Sequence, residues 1–442
     1  MANHAQSSGG RSGFLAAWDR LVGPTWQPAA SVRRGRKPRV PVTDLLPALT
    51  FHVMQGAGTL AEHSAELFAD ALSDSAWADR RARLPWDIFA DVMRRVLRPQ
   101  ATRRQPDAFW RGWRLIALDG TTFSLTNTPQ ISATVEKART RRGRAAFAKL
   151  TTAVLLELGV HNPLAAGIGR HGESEWALAL RLLAQVPKGA LLLGDRLYGV
   201  AAFLGPARAA CARVGSHFLI RASRSTKPRV RSRLPDGTRV VAIAVRASRR
   251  NPTQIVDWLE VREIRVRVGR AGYRTHELRL WTSLLDVQTA PALELARLYA
   301  QRWEHELYFR ELKRVVRKTD VLQSHTVITG AQEIAALVLA SAVLADERRR
   351  AAGPLPVLRV SFSKLLERCI KPLWFYLDLA PDILTERQIA AIVRRSYARA
   401  RRYVTPPRRA RSCRRAVRQP IQAWPRLLQP ESMTGAMHFQ LV

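Results

Sequence analysis

Cysteines and long apolar runs are scarce in this 442-residue chain, and each scarcity argues against particular classes of protein. The three cysteines are far apart and form no CxxC pair, which argues against a disulfide scaffold or a cysteine-based zinc site. The longest apolar run of interest, residues 334–345, is too short to cross a bilayer and predicts a buried helix packed on a sheet. The amino terminus lacks the apolar centre of a signal peptide. We therefore expect an intracellular protein with no membrane partner.

Acidic residues are also few. The chain has 35 Asp and Glu against 72 Lys and Arg, so its formal net charge is +37. This excess predicts a polyanionic partner, because counterion release from a nucleic acid gives salt-sensitive binding. A ribosomal or nucleoid-type basic protein, or an arginine-rich proteome, would give the same balance. No Walker A loop or Rossmann fingerprint occurs, so nucleotide-binding classes with those motifs are not indicated.

Two of the few aspartates stand directly after short apolar runs. Asp119 follows the run in RLIALDGTTF, and Asp195 follows the run in GALLLGDRLYG. Each run predicts a buried strand that delivers its aspartate at the carboxyl end. Ligands gather at that end of the strands in open α/β sheets, so both aspartates are candidate ligands of a metal ion.

A third acidic residue lies in a segment with helical spacing, LYAQRWEHELYFRELKRVV at residues 298–316. On a helix, Tyr299, Arg302, Glu306 and Lys313 fall within an arc of roughly 60°. One helix face then carries a carboxylate, two cations and a phenol. Two strand-borne aspartates and this glutamate would converge on a pair of divalent ions. Mg²⁺ prefers oxygen ligands, and ions roughly 3.5–4 Å apart clamp the attacking and leaving oxygens of phosphoryl transfer.

Together these motifs resemble a known family. LDGTT, GDRLYG and the Y-x2-R-x3-E-x6-K helix are similar to the three motif regions of bacterial insertion-sequence transposases of the DDE class, in the family with the YREK signature (the IS-four family). The resemblance covers roughly residues 42–345 and includes SDSAWADRRARLPWDIF, HFLIRAS and TDVLQSHT. LDG or GDR alone says little, since Asp after a strand is ordinary turn chemistry. All three motifs in order, with the full helix signature, are specific.

The resemblance implies an activity and a role for each motif residue. Asp119, Asp195 and Glu306 would be catalytic and hold Mg²⁺, which Mn²⁺ can replace. A homodimer would cut double-stranded DNA at the terminal inverted repeats, pass through a hairpin, and join the ends to target DNA. Tyr299 would pack against a distorted nucleotide, while Arg302 and Lys313 would grip phosphates. The expected location is the bacterial cytoplasm, at the nucleoid.

The resemblance also implies an α/β fold, with a ribonuclease-H-like mixed-sheet core interrupted by a β-rich insertion. More chain separates Asp195 from Glu306 than a compact core needs, which agrees with the insertion. The predicted parts are a flexible basic leader (1–41), a helical DNA-binding domain (42–110), the first part of the core (111–223), the insertion (224–288), the second part with the signature helix (289–350), and a helical carboxyl-terminal region with an Arg-rich tail (351–442).

Several smaller features carry expectations of their own. Residues 134–144 predict a mobile basic loop near the substrate, and residues 394–418 a disordered tail that tethers DNA. Trp258 and Trp281 either stack on a displaced base or, as is more usual for a strand tryptophan, pack in the sheet. His305 diverges from Glu306 by about 100° on a helix, so we expect it outside the metal ligands.

Two other functions stay open at this level. A non-catalytic DNA-binding protein, such as a decayed transposase kept as a repressor, would bind DNA without cutting it. A repair nuclease on the same core would cut without terminal-repeat specificity and join nothing. Each motif residue also has an ordinary interpretation, as a turn acid after a strand or as a charge on a helix surface.

Overall fold

One large mixed β-sheet with helices on both faces organises the protein. The computed structural model describes residues 13–28, 40–68, 72–140, 143–247, 254–269, 276–379, 383–406 and 438–441. The α-helices are α1 (Gly13–Val22), α2 (Val42–His52), α3 (Leu60–Ala65), α4 (Asp74–Ala82), α5 (Trp86–Val96), α6 (Pro129–Thr134), α7 (Glu175–Leu182), α8 (Ala201–Arg213), α9 (Ala292–Tyr299), α10 (Glu304–Glu311), α11 (Val327–Ala352), α12 (Phe362–Leu365), α13 (Lys371–Leu379) and α14 (Glu386–Ala400). The strands are β1 (Phe109–Trp110), β2 (Trp113–Ser124), β3 (Arg139–Thr140), β4 (Gly143–Arg144), β5 (Lys149–Glu157), β6 (Asn162–Ile168), β7 (Ala190–Gly194), β8 (His217–Arg221), β9 (Arg229–Arg233), β10 (Arg239–Arg246), β11 (Ile255–Gly269), β12 (His276–Thr282) and β13 (His438–Leu441). Short 3₁₀ or π segments are Pro106–Ala108, Leu183–Gln185, Ala300–Trp303, Leu312–Val316, Val357–Arg359 and Leu366–Ile370.

The strand order of the large sheet is β6-β5-β2-β7-β8-β12-β11-β10-β9. Within its first five strands, β5 runs antiparallel to β2 and β6, while β7 is parallel to both β2 and β8. The first of these strands along the chain is therefore central, and only the second is reversed. This arrangement is ribonuclease-H-like, and it confirms the predicted fold class.

The apolar runs that lead to the two aspartates are buried on both faces, as predicted. Asp195 follows the end of β7, but Asp119 lies inside β2, which continues to Ser124 because it stays paired with β5, so its predicted place at a strand end is wrong. In β2, Leu115 and Ala117 belong to one hydrophobic cluster, and Ile116 and Leu118 to the other. All of β7 is buried. Such double burial favours a near-continuous run of aliphatic residues, which is what both sequences show. The helices α7 and α8 cover one face, and α10 and α11 cover the other.

The β-rich insertion extends the core sheet. Strand β12 pairs with β8 through Leu280–Arg221, Trp281–Ile220 and Thr282–Leu219, and β11, β10 and β9 follow in antiparallel order. Trp281 is fully buried within this sheet, so a base-stacking role is wrong for it and packing is its role. The Arg229 guanidinium lies 4.5 Å from the centre of the Trp258 ring, and base stacking by Trp258 stays a prediction.

The predicted apolar helix is longer than its 12-residue run. Helix α11 has 26 residues and is apolar enough, by length and composition, to cross a membrane, but 83% of its most apolar window is buried inside the protein. It packs against the sheet on one side and against α2 and α5 on the other. The amino-terminal helices and the sheet therefore share one hydrophobic cluster through this helix.

Two predictions of flexibility at the ends of the chain are wrong in part. In the predicted leader, α1 buries Phe14 and Trp18, and the Phe14 ring lies 5.3 Å from that of Trp374 on α13. Large aromatic side chains that find such partners order a segment despite its basic surroundings. The predicted arginine tail begins inside α14, which starts with a capping box at Thr385. Residues 1–12, 29–39 and 407–437 of these regions lie outside the described residues.

The segment predicted as a mobile basic loop contains a short hairpin. Strands β3 and β4 pair through Arg139–Arg144 and Thr140–Gly143. Residues 141 and 142 at its tip lie outside the described residues. Its proximity to a substrate stays a prediction.

Candidate active site

The sheet register sets the two aspartates side by side. In the parallel pair of β2 and β7, Leu118 lies opposite Gly194, and Asp119 and Asp195 directly follow these two residues. Neighbouring strands lie roughly 4.8 Å apart, so the two backbones bring the carboxylates close together. Burial raises the pKa of both carboxyls, and the Asp119 charge raises that of Asp195 further. The site therefore concentrates negative charge where the parallel pairing of two central strands ends.

The third carboxylate, Glu306, lies on the signature helix and is linked to Asp119 by an arginine. Arg302 donates from Nη1 to Asp119 Oδ2 at 3.2 Å and from Nη2 to Glu306 Oε1 at 3.3 Å. One guanidinium thus joins the strand acid to the helix acid, and its charge also acts on Asp195. Within the described residues, no group of three or more His, Cys, Asp or Glu side chains is close enough to hold a metal ion as it stands.

The phenol of the signature fixes the helix to the sheet. Tyr299 donates its hydroxyl to the Gly194 carbonyl at 3.1 Å, next to Asp195, and is only 8% exposed. Burial raises the pKa of Tyr299 to about 12, so it stays a donor at neutral pH. The structure gives Tyr299 an anchoring contact, and its predicted contact with a nucleotide stays a prediction.

Lys313, the last residue of the signature, contacts β2 next to the site. Its Nζ donates to Thr121 Oγ1 at 2.5 Å and to the Thr122 carbonyl at 2.9 Å, beyond Asp119 on β2. It lies in a wider π turn, Leu312–Val316, of a kind often found at functional sites. Burial and neighbouring cations, Arg317 first among them, lower the pKa of Lys313 to about 8. Tyr299, Arg302 and Lys313 contact β2 or the end of β7, and Glu306 joins them through Arg302, although the helix contains 3₁₀ and π turns.

His305 points away from the carboxylates, as its helical position predicts. It is fully buried, and its Nε2 lies 2.9 Å from the Val154 carbonyl on β5. Burial lowers the pKa of His305 to about 3, so the ring is neutral. Its role is to pack the signature helix on the sheet.

A buried ion pair and hydrogen bonds hold the far side of the signature helix. Glu311 contacts His161 Nδ1 at 2.7 Å and Arg348 Nη1 at 3.2 Å. Glu304 Oε2 accepts the Gly159 backbone N–H at 2.7 Å. These contacts tie α10 to the β5–β6 turn and to α11, which fixes the rotation of the helix and the direction in which Glu306 points.

One further carboxylate, Glu175, lies at the site. It stands in the first turn of α7 and accepts a hydrogen bond from the Tyr198 hydroxyl at 2.9 Å. Burial raises the pKa of Glu175, and the charges of Asp119 and Asp195 raise it further. Sequence reasoning missed this residue because a glutamate just after a helix cap is ordinary capping chemistry. No local pattern in the sequence separates it from other first-turn acids.

The fold and the site define a class, an α/β protein with a ribonuclease-H-like sheet and with carboxylates where two central parallel strands separate. The family model described as "Transposase DDE domain" matches residues 110–342, more than half of the chain, and the chain belongs to this family. The motif region recognised from the sequence is thereby confirmed as that of a DDE transposase.

Two curated relatives from Escherichia coli (strain K12) are similar to the chain. Transposase InsG for insertion sequence element IS4 is 26% identical over 241 residues, 52% of each chain. Putative transposase InsZ is 26% identical over 180 residues, 38% of this chain and 57% of that protein. The chain spans about half the length of the curated relatives it matches. A solved piggyBac transposase synaptic complex with hairpin DNA aligns with 88% of this chain and 86% of that chain, at 8% identity and a TM-score of 0.43.

Proposed function

We propose that this protein is a DNA transposase that cuts at the terminal inverted repeats of an insertion sequence and joins the freed ends to target DNA. The observation that carries the proposal is the register that sets Asp119 beside Asp195, with Glu306 reached through Arg302. Membership of the transposase DDE family supports the same activity. The large positive charge supports double-stranded DNA as the partner.

The donor set fits hard divalent cations. Asp119, Asp195 and Glu306 offer only oxygen ligands, which suits Mg²⁺ and also Mn²⁺. Bound there, a pair of ions would supply charge stabilisation and an activated water for phosphoryl transfer. The guanidinium of Arg302 lies between Asp119 and Glu306, so both acids gain ion-binding capacity when it moves away.

The other signature residues would act on the DNA backbone. Arg302, once released from the carboxylates, and Lys313 would each bind a phosphate, since both are cations beside β2 near Asp119. The 3′-hydroxyl freed by the first cut would attack the opposite strand, forming a hairpin that water reopens. A homodimer would hold the two ends together. Tyr299 would contact a distorted nucleotide only if that nucleotide reached the buried end of β7.

A cleavage assay on the DNA that flanks the reading frame tests this function. Duplexes that carry the terminal inverted repeats are incubated with the full-length protein and Mg²⁺ or Mn²⁺, beside duplexes with scrambled ends. We expect nicks at the repeat boundary, then hairpins, then joined products. Binding without cleavage would instead identify a DNA-binding protein. Cleavage of both duplexes with no joining would identify a nuclease.

Lys313 should make DNA binding sensitive to alkaline pH. Its pKa of about 8 in the free protein lies below the usual lysine value, and a phosphate would favour its charged form. Binding therefore takes up a proton above pH 8, and affinity for the repeat duplex should fall as pH rises from 8 to 10. Fluorescence anisotropy at several pH values measures this slope.

Two variants isolate the contribution of this lysine. Lys313→Met should weaken binding about 10-fold at pH 7, because a charged hydrogen bond to phosphate is lost. Lys313→Arg keeps the charge at every pH tested, so its affinity should lose the dependence above pH 8. Equal pH slopes for the wild type and Lys313→Arg would rule out a phosphate contact by Lys313.

A further inference from the structure

Glu175 approaches the candidate site from the side opposite the signature helix. Helix α7 packs on β2 and β5 within one hydrophobic cluster, whereas α10 belongs to the other cluster. The two aspartates are thus flanked by Glu306 from one face of the sheet and by Glu175 from the other. We propose that Glu175 is a fourth carboxylate of this site and binds the divalent ions together with Asp119 and Asp195. The inference rests on the proposed function.

The glycine after Asp119 makes room for this carboxylate. A Cβ placed on Gly120 would lie 2.2 Å from Glu175 Cδ and 2.5 Å from Oε2, distances that real Cβ atoms do not show. Any other residue at position 120 would push the carboxylate away from the strand. The glycine of LDGTT is therefore required for close approach of Glu175, one residue from Asp119.

Tyr198, the tyrosine of GDRLYG, orients the Glu175 carboxylate. Tyr198 is fully buried, and its hydroxyl donates to Glu175 Oε1 at 2.9 Å. Its backbone N–H donates to the Asp195 carbonyl at 3.3 Å, in the turn that follows β7. Outer partners of this kind orient metal ligands and fix their geometry. Both aspartate motifs thus contribute a residue that holds Glu175 beside them.

The carboxylates at the site outnumber the cations that contact them, which favours the binding of added cations. Asp119 pairs with Arg302, but neither Asp195 nor Glu175 forms an ion pair with any described residue. Four carboxylates, including Glu306, then face one guanidinium, which leaves an excess of three negative charges. Partly buried like charges are costly unless a counter-charge offsets them. A pair of divalent ions carries four positive charges and offsets this excess.

Ion binding by Glu175 and a purely structural role of this residue predict different results for its substitution. Glu175→Gln keeps an oxygen that accepts the Tyr198 hydrogen bond, and it removes one buried negative charge. If Glu175 binds ions, the melting temperature without divalent ions should stay unchanged or rise, since repulsion from both aspartates is relieved. If the residue only fastens α7 to the turn after β7, ion affinity should stay the same, because glutamine keeps that hydrogen bond.

Titration of the full-length protein with Mn²⁺ alone, followed by electron paramagnetic resonance of the free ion, tests the proposal. We expect Glu175→Gln to bind Mn²⁺ at least about 10-fold more weakly than the wild type. Glu173→Gln is the matched control at the same helix start, where Glu173 pairs with Arg181 at 2.8 Å. It should bind Mn²⁺ as the wild type does.

Asp119→Asn distinguishes a failure of the proposed role of Glu175 from a failure of the proposed ion site. If this variant loses Mn²⁺ binding and Glu175→Gln does not, the role of Glu175 is overturned and the proposed function stands. If Asp119→Asn binds Mn²⁺ like the wild type, the proposed ion site fails, and the role of Glu175 fails with it.

Discussion

Glu306→Gln should bind terminal-repeat DNA but cut it about 10³-fold more slowly than the wild type. The glutamine keeps the size of the side chain and an oxygen that accepts from Arg302 Nη2, now 3.3 Å from Glu306 Oε1. Only the negative charge is removed. The side chain is 43% exposed, so folding should not suffer. Initial rates of nicking at saturating Mg²⁺ measure the loss.

Controls for this prediction lie on the neighbouring helix. Glu294 on α9 is an exposed acid that pairs with Arg111, away from the strand ends. Glu294→Gln should cut DNA at the wild-type rate. Wild-type nicking by Glu306→Gln would remove the glutamate from the catalytic set and, with it, the proposed role of the signature helix.

Arg348→Met should lower the free energy of unfolding by about 3–5 kcal/mol, the cost of breaking a buried ion pair from one side. Arg348 is 3% exposed and donates to Glu311 and to the Leu358 and Val360 carbonyls. Methionine fills a similar volume but cannot donate a hydrogen bond to these acceptors. Because Glu311 lies on α10, the variant should also loosen the helix that carries Glu306. Urea unfolding followed by circular dichroism measures the stability change.

Arg83, an exposed arginine, provides the control for Arg348→Met. Arg83 pairs with Asp79 on the surface of α4, with both side chains more than 70% exposed. Arg83→Met should change stability by less than about 1 kcal/mol, because solvent screens such pairs. Equal effects of the two substitutions would show that the network behind α10 contributes no more than a surface contact.

The strands and the signature helix were predictable because their signals are local. A run of aliphatic residues before Asp119 or Asp195 indicates a strand buried on both faces. Spacings of three, four and seven residues indicate one helix face, and the 3₁₀ and π turns of the real helix alter that face without dispersing it. The fold class followed from the resemblance, and the strand order bears it out.

Some predictions failed where distant contacts outweigh local composition. Helix α1 lies in a polar, basic segment, yet Phe14 is ordered by aromatic partners on α2 and α13. The β-rich insertion could not be assigned to the core sheet, because the sequence does not say which strand edge β12 meets.

The sequence by itself determined the three predicted carboxylates and their helix or strand settings, since each depends on residues only a few positions away. The tertiary structure decided how they meet. Strand register places Asp119 beside Asp195, and a guanidinium bridges the gap to Glu306. Only the fold brought in Glu175, because its approach depends on Gly120 and Tyr198, which are distant in the chain and adjacent in space.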